Sequence, residues 1–209
     1  LTKLMTAIVV LDNYNLSDTI NVSKIADSQN PTKQDVGFGD KISAGTLLSI
    51  MLVDSSNKSA YALSESIGTE KFVSLMNKKA KDLGLQDTFF VDSTGLSPNN
   101  VSTANDLVKL AGHILISYPK VADISRIKEL YVPNLGFFTN TDQLLNELPE
   151  IVCSKTGFTS TAKGCLLLVT RPQSSSAKDN DYLISVVLGA DDRFSEMKKI
   201  INWSNEVCN

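Results

Sequence analysis

The alternation of apolar and polar positions divides the chain into a helical first part and a strand-rich last part. Residues 1–11 are apolar around most of a helical circumference, through Leu1, Leu4, Met5, Ile8, Val9 and Leu11. That predicts a helix buried on nearly every side. Residues 19–23 read as a short strand. Residues 27–40 are polar and carry Pro31, Gly37 and Gly39, so they read as loops or short irregular strands. An apolar helix is predicted over 45–53, followed by the polar break Asp54-Ser55-Ser56-Asn57. A third helix starts near Lys58 and stops at Gly68 as a C-terminal glycine. Thr69 is expected to cap a fourth, with Phe72, Val73, Met76, Ala80 and Leu83 on one face and Gly84 at its end. A short strand over 89–91 precedes the turn Ser93-Thr94-Gly95. Thr103 and Asp106 have capping-box spacing, opening a helix through Leu107, Leu110, Ala111 and Ile114. Then the period shortens. Residues 127–132, 150–159, 165–171 and 182–188 read as strands. A final helix over 193–207 puts Phe194, Met197, Ile200 and Ile201 together. The Ser-, Lys- and Asp-rich stretch 172–181 reads as a hairpin loop and not as a domain boundary.

This order predicts an α+β fold in one domain, 1–209. Helices over about 20–145 would form one lobe. An antiparallel sheet with residues of about 1–15 and 146–209, covered by the first and last helices, would form the other, with the site in the cleft between them. A chain of 209 residues, 42% hydrophobic and 21% charged, buries a core without disulfides or metals. The net charge of −3 is spread along the chain, with no basic stripe of the kind that binds nucleic acid. Lys78-Lys79 reads as a solvated helix face. No apolar run is long enough to span a bilayer. The opening lacks the basic region and cleavage site of a signal peptide, and there is no initiator Met, which suggests a mature or trimmed chain. Cys153, Cys165 and Cys208 lack zinc-ligand spacing. They read as two buried thiols and one near the chain end, with a single bridge left open.

Candidate chemistry sits in three short motifs. Leu1-Thr2-Lys3 opens the buried helix, Ser55-Ser56-Asn57 interrupts two helices, and Lys155-Thr156-Gly157 lies on a strand. Each is common alone. Ser55 and Asn57 are typical helix caps, Lys3 an ordinary helix-end lysine, and Arg193 and His113 read as solvated and structural residues. Their order changes the weighing. It resembles the Ser-x-x-Lys, Ser-x-Asn, Lys-Thr-Gly set of penicillin-binding proteins and serine β-lactamases. The stretches 1–7, 52–62, 72–85, 94–107, 155–159 and 186–194 resemble the low-molecular-mass D-alanyl-D-alanine carboxypeptidases of the peptidase S11 family.

The resemblance implies a serine-type carboxypeptidase that removes terminal D-alanine from peptidoglycan stem peptides through an acyl-enzyme. It implies inhibition by β-lactams, no metal or other cofactor, and no nucleic-acid partner. It places the protein on the outer side of a bacterial cytoplasmic membrane, secreted or peripherally anchored through a further C-terminal segment. Lys3, Ser55, Asn57 and Lys155 would be catalytic. Lys3 would serve as base, its pKa lowered by desolvation and by Lys155. Ser55 would pass a proton to the leaving amine, and Asn57 would hold the substrate amide and Lys3. Thr156 and Thr159, with Lys155 and Arg193, would bind substrate or its carboxylate. Gly157 would leave room for substrate along the strand edge. The Phe158 N–H would form part of the oxyanion hole.

Two departures accompany the resemblance. The expected serine, three positions before Lys3, falls before the first residue, as do the family's first strands, so the 209 residues alone are expected not to acylate. Lys58 stands where relatives often carry an acid, which is expected to alter a rim contact only. A D,D-endopeptidase and a non-catalytic peptidoglycan-binding domain are the competing functions. Asp191-Asp192 reads as a helix cap and not as a carboxylate dyad.

Overall fold

The computed structural model of the chain describes residues 1–30, 35–172 and 181–207. Helix α1 (Lys3–Asn13) is buried at every position from Lys3 to Val10. Withdrawing Leu4, Met5 and Ile8 from water stabilises the fold by about 1.5–3 kcal/mol each, so the start of α1 is held in one place. Strand β1 (Thr19–Asn21) pairs antiparallel with β2 (Lys41–Ser43), with α2 (Lys24–Asp27) between them in sequence. Helix α3 (Ala44–Val53) is capped by the Ser43 hydroxyl, which accepts from Thr46 N at 3.1 Å. Helix α4 (Asn57–Glu65) is capped in the same way by Ser56, from Ser59 N at 3.0 Å. Then follow α5 (Thr69–Asp82), α6 (Ala104–Ser117) and α7 (Pro119–Ser125). The hairpin of β3 (Glu129–Val132) and β4 (Gly136–Thr139) leads to a 3-10 turn and the sheet: β5 (Ile151–Thr159), β6 (Lys163–Thr170) and β7 (Leu183–Ala190). Helix α8 (Arg193–Val207) ends the described chain.

The architecture is the expected α+β arrangement. The sheet has the antiparallel order β5-β6-β7, so β5 is an edge strand. The run Leu166–Val169 on β6 is buried on both faces. Leu166 and Leu168 join Met197 and Ile201 of α8 in a small core, while Leu167 and Val169 belong to the main core around α1 and α3.

Several details differ from the sequence reading. Helix α4 ends at Glu65, and Gly68, with φ of 92°, occupies the cap position of α5, so Thr69 is a helical residue and not the cap. The reversal there needs a backbone conformation open to glycine. Helix α1 packs against α3, α4, α5 and α7, while α6, α7 and α8 contact the sheet. An all-round apolar helix fits a helical core better than one sheet face. Strands β2 and β4 and helix α7, at three, four and seven residues, are too short to show a period. The expected strand 89–91 is reduced to one bridge, Phe89 with Val101. Cys153 is buried and free, and Cys165 is free and only partly buried, against the expectation that it is a core thiol. Pro31, residues 173–180 of the expected hairpin loop and Cys208 lie outside the described residues.

Candidate active site

The residues expected to be catalytic or to bind substrate all line one cavity of about 270 Å³: Lys3, Ser55, Asn57, Lys155, Thr156, Gly157, Phe158, Thr159 and Arg193. Their placement follows from local structure. Lys3 lies in the first turn of the buried α1 and is itself 6% exposed. An ammonium that far from water needs acceptors. It donates to Asn57 Oδ1 at 2.6 Å and to the Thr94 carbonyl at 2.7 Å. Ser55 separates α3 from α4 with φ of 57°, a left-handed conformation that disfavours any side chain but is common at sites where surrounding structure holds it. The two helices, each capped by its own serine, hold that kink from both sides.

Strand β5 supplies the opposite wall. Its register pairs Lys155 with Leu167, on the face turned towards the main core, and Thr156 with Leu166, on the α8 face. Lys155 is 2% exposed, and its Nζ reaches the Thr156 carbonyl at 3.3 Å. The Thr156 hydroxyl lies 2.5 Å from that of Thr141, which also lines the cavity. Next to it Asp142 is buried. It accepts from the Ser154 hydroxyl and from Leu144 N at 2.9 Å. Burial holds its carboxyl above the usual carboxylate range, against the pull of those donors and of Lys155 and Arg193. Phe158 is 68% exposed at the rim.

Gly157 lines the cavity and is also a point of close approach. A Cβ there would stand 3.2 Å from the backbone nitrogen of Leu1 and 3.6 Å from Cys165 Cβ, so the missing side chain lets the residue Leu1, ahead of α1, approach β5. Gly164 does similar work. A Cβ on it would meet the Ala190 carbonyl at 2.7 Å and Arg193 Cβ at 3.2 Å, so only glycine lets Arg193 fold across β6. The α8 start that carries Arg193 is capped by Asp192, whose Oδ1 accepts from Phe194 N at 3.0 Å and Ser195 N at 3.1 Å. Asp191 instead pairs with Lys163. His113 lies on α6 and does not line the cavity.

Lys58 corrects the sequence reading outright. It is 5% exposed and bridges Asp27 at 2.9 Å and Asp35 at 3.4 Å. Asp35 also accepts from the Ser56 hydroxyl at 2.5 Å. A lysine adjoining the site loop looks like a surface residue until distant carboxylates fold over it. Sequence reasoning also missed Thr94, Gly95, Thr141 and Cys165 in the lining. The turn at 93–95 was visible, but nothing marked its carbonyl as a partner for Lys3. Cys153, by contrast, is sealed in the core, and burial pushes its thiol up to about 11.

Among the described residues the lining therefore combines three basic side chains, Lys3, Lys155 and Arg193, with hydroxyls and an amide, and contains no acid. Such a pocket suits an anionic ligand with a polar backbone. The fold has solved counterparts. The chain superposes on a mutant of the Streptomyces K15 DD-transpeptidase with TM-score 0.85, at 26% identity over 97% of this chain and 85% of that one. It matches a D-alanyl-D-alanine carboxypeptidase DacD from Francisella tularensis with TM-score 0.83, at 26% identity over 97% and 63%. Fold and lining thus define a penicillin-binding-type protein.

Residues 1–192 match the model of Peptidase_S11, D-alanyl-D-alanine carboxypeptidase, and the chain belongs to that family. Among curated relatives, a D-alanyl-D-alanine endopeptidase of Pseudomonas aeruginosa is 35% identical over 97% of this chain and 67% of its own length. One of Escherichia coli is 37% identical over 81% and 58%. The carboxypeptidase DacF of Bacillus subtilis is 29% identical over 98% and 54%. The chain spans about half to two thirds of the length of these relatives.

Proposed function

We propose that the protein is a serine-type D-Ala-D-Ala carboxypeptidase of peptidoglycan stem peptides, working through an acyl-enzyme and inhibited by penicillin. The observation that carries this reading is the meeting of Lys3, Ser55, Asn57 and Lys155 in one cavity. The Leu1 nitrogen lies against Gly157 in the same cavity, so a residue bonded to Leu1 enters the cleft beside Lys3. A serine there is the nucleophile of this mechanism. Its oxygen attacks the carbonyl carbon between the two D-alanines, and its proton passes to the neutral Lys3 amine. The Phe158 N–H stabilises the oxyanion. The C–N bond then breaks as Ser55 hands its proton to the departing D-alanine amine and takes in turn the proton held by Lys3, which returns to the neutral amine. Water releases the shortened peptide. Lys155, Thr156, Thr159 and Arg193 hold the terminal carboxylate and backbone, and substrate lies along the free edge of β5.

A second reading, D,D-endopeptidase, draws support from the relatives of that name at 35% and 37% identity. The same side chains serve it, acting on a cross-link instead of a chain end. Either activity belongs outside the cytoplasmic membrane, where peptidoglycan lies, with the protein secreted or anchored by a segment beyond these residues. No described helix is long and apolar enough to cross a membrane. The test uses the protein with a serine directly before Leu1. Intact-mass spectrometry after penicillin should show one stoichiometric adduct, and its absence sinks the enzymatic reading in favour of a peptidoglycan-binding domain. D-Alanine release from a pentapeptide, compared with cleavage of a cross-linked dimer, separates the two peptidases.

A further inference from the structure

The loop over 92–97 does something that neither the motifs nor the proposed mechanism assigns. The Asp92 carboxylate gathers the loop about itself. Its Oδ1 accepts from Thr94 N at 2.8 Å, Gly95 N at 2.6 Å and the Thr94 hydroxyl at 3.0 Å, and its Oδ2 accepts from Ser97 N at 2.8 Å. Burial opposes the charge, yet the Gly95 and Ser97 amides, together with the Thr94 hydroxyl and the Asn100 side chain, outweigh it and hold the carboxyl below its ordinary range. The gathered loop is seated directly on α1. The Ser93 carbonyl accepts from the Thr6 hydroxyl at 2.7 Å, one helical turn beyond Lys3. A Cβ on Gly95, where φ is 84°, would stand 3.0 Å from Thr2 Oγ1. What this seating presents to the cavity is the Thr94 carbonyl, 2.7 Å from Lys3 Nζ.

We propose that Asp92 is a positioning residue for the general base, acting on Lys3 through the Thr94 carbonyl. The proposal rests on Lys3 being that base. A neutral lysine amine has two N–H bonds and one lone pair. Asn57 Oδ1 and the Thr94 carbonyl are acceptors for the two N–H bonds, which directs the lone pair to the remaining corner of the nitrogen. Asn57 is held by helix α4, whereas the Thr94 carbonyl is held by the Asp92 turn. Releasing the turn frees the amine to rotate and removes an acceptor that favours its charged form.

The test titrates Lys3 directly, by the carbon-13 shift of its ε-carbon, in the protein bearing a serine before Leu1. Asp92→Ala and the milder Asp92→Asn are compared with Asn77→Ala. Asn77 Oδ1 accepts from Phe90 N at 2.8 Å and its Nδ2 donates to the Phe90 carbonyl at 2.7 Å, so its loss loosens the segment leading into the same loop and leaves the donors to the Asp92 carboxylate in place. In both Asp92 variants the Lys3 titration should move to lower pH, more in the alanine variant, while Asn77→Ala leaves it in place. Penicillin acylation should slow by about tenfold to a hundredfold in Asp92→Ala, as for a reacting group displaced by about 1 Å. An unmoved Lys3 titration, or an equal move in Asn77→Ala, overturns the proposal whether or not the protein is acylated. A moved titration in a protein that penicillin never acylates upholds the coupling and sinks the enzymatic reading instead.

Discussion

Two loops converge on Lys3, and each is organised by an aspartate, but in opposite ways. The loop between α3 and α4 delivers Ser55 and Asn57. It is fixed from outside by Asp35, whose partners Ser56 and Lys58 lie 21 and 23 residues along the chain. The 92–97 loop delivers the Thr94 carbonyl and is fixed from inside, by a carboxylate whose partners Thr94, Gly95, Ser97 and Asn100 lie within eight residues. The first loop depends on a distant segment folding over it, and its charges are buried. The second is a local turn that needs only to be seated. The difference teaches that one side of the site is a tertiary construction and the other almost a secondary-structure element, though both end on the same nitrogen.

Removing the point where the loops meet should have the largest effect. With a serine before Leu1, Lys3→Ala should slow penicillin acylation by about 10²–10⁴-fold, the usual loss for a positioned base. Stopped-flow or intact-mass kinetics reads this, and an unchanged rate would show that the loops converge on a bystander.

Breaking the outer clamp comes next. Lys58→Ala leaves the Asp35 side chain, 0% exposed, without its cation. Losing one member of a buried pair is expected to destabilise the fold by about 3–5 kcal/mol in urea denaturation. A loss below about 1 kcal/mol would make the two loops alike.

Ser55→Gly separates geometry from chemistry on the first loop. Glycine relieves the left-handed strain at φ of 57°, so stability should rise by about 1 kcal/mol. Acylation should fall at the same time, because the hydroxyl is gone. Opposite signs in the two measurements mark a residue kept for chemistry; a drop in both would mean the hydroxyl also holds the loop.

The smallest effect is a contrast in pH dependence. Desolvation acts to lower the Lys58 pKa, but the Asp27 and Asp35 partners win, and it is raised above its ordinary value of 10.5. The stability it contributes is therefore fully present below about that pH and is lost as pH rises through the folded value. Asp92 is lowered from 3.8, so its contribution is present above that pH and is lost as pH falls through its folded value. Thermal melts of Lys58→Met should lose part of the alkaline limb, and those of Asp92→Asn part of the acid limb. Exchanged limbs would reverse the assignment.

Much of the fold was legible because its longer elements carry a period. The apolar circumference of α1, the stripe of α5 and the runs of β5 and β6 all appear in the residue pattern, and short elements such as β2 and α7 do not. The candidate site was legible as three motifs in order, and the chain brings them into one cavity. What the sequence by itself determined is therefore local. It set which segments are helical or extended, the kink between two apolar helices, and which side chains are able to move a proton or hold a carboxylate. Only the tertiary structure decided who meets whom. Lys58 became an inner clamp because Asp27 and Asp35 fold over it, Gly157 and Gly164 proved to be points of close approach, and the Thr94 carbonyl became a ligand of Lys3. A backbone carbonyl has no residue type to betray it, and a lysine has the same letter in solvent and in a buried ion pair. The physical difference lies in desolvation and in partners brought from elsewhere in the chain, which local pattern does not encode.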